Sequence, residues 1–133
     1  METAGKILLV GGVLNLAYGV VTGYSMSLTK MRGKEVPRYL TLAHLGPLMQ
    51  GPALLGLVIA VGFSRLSSGT ETLAAWMLVA GMGGVTLKDT INWLTHVRDD
   101  IAQRSLGFYL GGLSAALIAT GLAIVIVGVV RAL

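Results

Sequence analysis

The chain has 133 residues, of which 54% are hydrophobic and 12% charged, with a formal net charge of +4. Its mean hydropathy of +0.78 excludes a soluble globular domain and indicates an integral membrane protein. Cysteine is absent, which excludes disulfides, thiolate nucleophiles and Cys-ligated metals.

Four apolar runs follow one another, at about residues 5–28, 38–63, 72–97 and 106–130. Each exceeds the roughly 20 residues that a helix needs to cross a hydrocarbon core of about 30 Å. The expected fold is therefore an all-α membrane protein, a single domain of four transmembrane helices in the lipid bilayer. The first run is preceded by only one basic residue, Lys6, and is longer than a signal-peptide core. It reads as a retained helix rather than a secretory signal. No internal repeat or low-complexity segment is visible.

Lys30, Arg32, Lys34 and Arg38 fall around the first connection, and Arg98 and Arg104 in the third, against Lys6, Arg65 and Arg131 on the other side. By the positive-inside rule the first and third connections are cytoplasmic and both termini face outward, in the cytoplasmic membrane of a bacterium. These basic residues border hydrophobic ends, so anionic lipid headgroups are the expected partner and nucleic acid is not.

In the first run Gly12, Asn15, Gly19, Thr22 and Gly23 recur at three- and four-residue steps, with a GxxxG element from Gly19 to Gly23; a second such element runs from Gly107 to Gly111 in the last run. Small residues at this spacing let membrane helices approach closely. They pack neighbouring helices, make room for a flat cofactor, or serve a homo-oligomer, which a bundle this small favours.

The second run contains Ala43-His44-Leu45-Gly46-Pro47-Leu48-Met49-Gln50-Gly51-Pro52. Pro47 and Pro52 cannot donate to the carbonyls of Ala43 and Leu48, so the helix is expected to kink or unwind between Gly46 and Pro52. His44 lies about two turns inside the helix, where a neutral imidazole offers one lone pair to an iron or zinc while its other nitrogen donates to a carbonyl. Gln50 is roughly a third of a turn round from His44 on an ideal helix, and the kink is expected to bring both to one cavity. Interhelical hydrogen bonding is the plainer role for either.

The third run carries Lys88, Asp89, Asn92, Trp93 and His96. Asp89, Asn92 and His96 share a face at i, i+3 and i+7, with Asp89 about two turns deeper than His96. A carboxylate at that depth is expected to face the bundle interior and be paired. Pairing with Lys88 is disfavoured by their adjacency on the helix. Trp93, Tyr39 and Tyr109 read as interfacial anchors. A single pocket lined by His44, Gln50, Asp89, Asn92 and His96 is expected.

The segment Ala43-His44-x-Gly46-Pro47-x-x-Gln50-Gly51 resembles the Ala-His-x-Gly-Pro-x-x-Asn-Gly segment of the styrene oxide isomerases, small four-helix membrane proteins related to the hydroxylaminobenzene mutases. Only this nine-residue segment matches closely, although chain size and four-span layout agree. The resemblance implies a haem b held between the subunits of a homotrimer, with His44 as axial ligand of the iron and Gln50 in place of the family's asparagine. It implies rearrangement of an aromatic epoxide or aryl hydroxylamine by Lewis-acid catalysis. That family also uses an aspartate and a tyrosine on its third helix. Aligning the shared asparagine with Asn92 puts His96 at the tyrosine position and Lys88 at the aspartate position, with Asp89 one residue out of register. Gln50, Asp89, Asn92 and His96 are thus the candidate catalytic residues.

Competing readings are a bis-histidine cytochrome using His44 and His96, an accessory subunit of a larger membrane complex, and a transporter. Helix 1 has no carboxylate between Lys6 and Lys30, unlike small four-helix multidrug exporters.

Overall fold

Apolar sequence in a medium without hydrogen-bond partners must satisfy its own backbone, and the helix does this within one segment. The structure, a computed structural model describing residues 2–133, is helical with no strand among the described residues. The elements are α1 (Thr3–Met31), α2 (Arg38–Phe63), α3 (Ser68–Leu94), α4 (Asp100–Gln103) and α5 (Leu106–Val130). Ser67, Asp99 and Ser105 cap α3, α4 and α5 by accepting first-turn N–H groups. The start of α2 has no side-chain cap.

Three helices, α1, α2 and α5, are long and apolar enough to cross a membrane. α3 has 27 residues but carries Glu71, Lys88 and Asp89. α1 packs on α2 and α3 on α5, while contacts of α3 with α1 and α2 join the two pairs. α3 thus touches every other long helix, and its polar groups are sheltered by them.

The sorting of residues is the reverse of that in a soluble bundle. The inward stripe of α1 is Gly11, Gly12, Asn15, Gly19 and Thr22, whereas Leu14, Val20 and Val21 point outward and are more than 60% exposed. Hydrocarbon solvates large apolar side chains as well as a protein core does, so close backbone approach decides the seam. An apolar core of Leu8, Leu54, Ala74, Leu78 and Val125 fills the half of the bundle near the α1 N-terminus. Asn15, Thr22, Asp89 and Asn92 are buried toward the other half, while Glu71 is buried at the core end, beside Gly5 and Val61.

Two expectations need correction here. α2 does not unwind but runs as helix through Pro47 and Pro52; the Ala43 carbonyl that Pro47 releases lies 3.1 Å from the Thr22 hydroxyl of α1, whose one proton it shares with the Tyr18 and Gly19 carbonyls. α3 begins at Ser68 and ends at Leu94. His96 therefore lies beyond the helix and does not share a face with Asp89 and Asn92.

Candidate functional site

The α1–α2 seam places His44. Gly12 and Gly51 cross so closely that a Cβ on either would lie 3.0 Å from the other's carbonyl oxygen. Two turns along, the half-buried His44 ring covers Gly23, where a Cβ would come within 2.6 Å of Cε1. His44 Nδ1 lies 2.7 Å from the Gly19 carbonyl oxygen. A carbonyl only accepts, so Nδ1 carries the proton and Nε2 the lone pair. Nε2 has no protein partner among the described residues.

Gln50 points elsewhere. Thr86 Oγ1 on α3 lies 3.2 Å from Gln50 Oε1 and 3.2 Å from Asn15 Oδ1, and Asn15 donates to the Gly11 carbonyl. A hydroxyl has one proton, so it serves one of these oxygens at a time unless the Gln50 amide turns over and donates to it. Tyr18 and Thr90 extend the chain: their hydroxyls are 2.6 Å apart, and Thr90 donates to the Thr86 carbonyl. This polar ladder ties α1, α2 and α3 together.

Asp89 and Asn92 belong to the join between α3, α4 and α5. Lys88 Nζ lies 3.2 Å from Asp89 and 3.7 Å from Asp100, and its alkyl stem runs over Gly111. The pairing disfavoured by adjacency therefore forms, because Gly111 leaves the stem room to curl back toward both carboxylates. Asn92 is fully buried, accepts from the Ser105 hydroxyl at 3.1 Å and presses on Gly107. Its Nδ2 has no hydrogen-bond partner. Tyr39 is 3% exposed and its hydroxyl accepts from the Asp100 N–H, so it is an internal tie rather than a membrane anchor. Tyr109 is exposed and meets Phe108 edge-on.

His96 is exposed, in the left-handed region at φ 55°, and lines a cavity of about 480 Å³ with Tyr39, Asn92 and Trp93. The five candidate residues are thus distributed: His44 on the α1–α2 seam, Gln50 in the ladder, Asp89 and Asn92 at the α3–α5 join, His96 in the loop. The single expected pocket does not form. Asn92 and His96 share a cavity whose lining does not include His44.

Thr86, Thr90 and Tyr18 belong to this ladder without a motif to announce them. Their signal was spacing: Thr86 and Thr90 at i, i+4 on α3, opposite Asn15, Tyr18 and Thr22 at i, i+3, i+7 on α1. No group of three or more His, Asp or Glu side chains converges as a metal-ligand set among the described residues. A haem needs only one protein ligand, so the lack of such a group does not bear on it.

No family model, curated protein or solved structure matches this chain.

Proposed function

We propose that this chain is a four-span membrane protein that holds haem b through His44 and rearranges small aromatic epoxides or aryl hydroxylamines. The observation that carries the reading is the 2.7 Å bond from Nδ1 to the Gly19 carbonyl. It orients the ring and leaves a lone pair on Nε2, the second-sphere arrangement that metal-ligating histidines use. Bare α1 backbone at Gly23 seats the ring in this orientation, and at Gly19 it seats Leu48 beside it. The resemblance of the Ala43–Gly51 segment to the styrene oxide isomerases agrees with this, and brings the expectation of a homotrimer.

When bound, ferric haem with one protein ligand supplies an open Lewis-acid position that polarises a C–O or N–O bond. The chain itself fixes the imidazole, excludes water with apolar helix faces, and offers an aromatic substrate entry from the lipid phase. Support for catalytic roles at Gln50, Asp89, Asn92 and His96 is weaker than for ligation by His44, since each has its own place in the fold. A bis-histidine cytochrome is disfavoured within one protomer because His44 and His96 have no common surroundings.

A fourth span is supported by α3 packing against all three apolar helices, with residues 72–87 free of charge between Glu71 and Lys88.

The absorption spectrum of the detergent-purified chain tests the reading. A Soret band that is lost in His44→Ala and kept in His96→Ala supports it, and retention in His44→Ala overturns it. Turnover of styrene oxide or an aryl hydroxylamine without NAD(P)H tests the chemistry, and native mass spectrometry tests a haem-loaded trimer.

A further inference from the structure

The connections after α1 and α3 meet at one end of the bundle and line an open cavity of about 480 Å³, whose wall includes Arg38, His96 and Arg98 beside Tyr39 and Trp93. Two guanidiniums and an imidazole line this concavity, where Glu35 is the carboxylate in the wall and Asp100, behind Tyr39, is already paired with Lys88; the surplus of donors favours an anion there. The Arg38 guanidinium is held 5.7 Å from the centroid of the Tyr39 ring, which fixes one charge at the rim. α2 starts at this wall with no side-chain cap and no acidic residue in its first turn, so its free N–H groups add to the positive field.

His96 reaches the same wall from the end of α3. It follows the last turn of α3 at φ 55°, and the Val97 N–H closes onto the Asn92 carbonyl at 3.0 Å. Glycine or asparagine is the unstrained choice at such a helix end. A histidine there accepts backbone strain and puts an imidazole at the cavity.

We propose that this cavity binds a phosphate-type oxyanion at the membrane surface, on a lipid headgroup or a soluble phosphate ester. Arg38 and Arg98 supply the charge and His96 a further donor. Two guanidiniums and an imidazole offer more donors than one carboxylate accepts, which favours phosphate. The proposal does not depend on haem.

The full chain in detergent would be tested by native mass spectrometry with phosphatidic acid and by tryptophan fluorescence titrated with inorganic phosphate, since Trp93 lines the cavity. Retention of the lipid alone identifies a headgroup site, a response to phosphate alone a soluble-ester site, and both together a shared one. The double variant Arg38→Gln/Arg98→Gln should weaken binding about tenfold or more. His96→Gly should melt at or above the parent's temperature, because glycine relieves the left-handed strain, yet bind more weakly. Binding of neither probe, or unchanged binding in either variant, overturns the proposal.

Discussion

The His44 ring lies against the bare backbone of Gly23. A Cβ at Gly23 would sit 2.6 Å from Cε1 and 2.9 Å from Nδ1, so the missing methyl is what lets the ring reach the Gly19 carbonyl. The expected result for Gly23→Ala is a displaced imidazole and a haem-to-protein absorbance ratio well below the parent's. Overpacking of this kind costs about 1–3 kcal/mol. Gly56→Ala, with nothing within 4 Å of the added methyl, should keep the parental ratio.

Thr22→Val removes the hydroxyl that takes up the Ala43 carbonyl. A loss of about 0.5–1.5 kcal/mol is expected in reversible detergent unfolding. In a Pro47→Ala background residue 47 regains an N–H and the carbonyl has an intrahelical donor, so Thr22→Val should then cost much less. Additive losses in this double-mutant cycle would mean that the two residues are uncoupled.

Lys88→Met leaves Asp89 and Asp100 facing each other without their cation. Removing one member of a buried pair costs about 3–5 kcal/mol; the lower end is expected because the Lys88 side chain is 21% exposed. Adding Asp89→Asn should recover most of the loss, as read by melting temperature.

At the α3–α5 seam, a methyl on Gly111 meets the Lys88 Cδ at 2.8 Å, part of a flexible stem, whereas one on Gly107 meets the Asn92 amide, which Ser105 holds. Gly107→Ala should therefore destabilise more than Gly111→Ala, within about 1–3 kcal/mol. A reversed order in thermal unfolding would show that Asn92 gives way more easily than Lys88.

The long helices were legible because hydrophobic length sets them. α2 and α5 match the expected 38–63 and 106–130, while α1 and α3 begin earlier. Which side of each helix faces inward was not legible, since apolar residues surround the helices and leave little amphipathic pattern. His44 could be marked as a carbonyl-bonded imidazole, but not its partner Gly19 in the preceding helix. His96 was misplaced because α3 stops at Leu94 without a glycine or proline to announce it. The short α4 went unread, although Asp99 caps it by accepting from Ile101 and Ala102.

The tight helix pairs join neighbours in the chain, α1 with α2 and α3 with α5, and each pair has its own glycine seam. Such hairpins need few distant contacts before they close. During synthesis the first hairpin can zip shut while the second is still on the ribosome. The Thr86 contacts with Asn15 and Gln50 and the Tyr18–Thr90 bond span the two pairs and cannot form until α3 is present. A chain cut in the 64–67 connection and expressed as two pieces would have the means to reassemble.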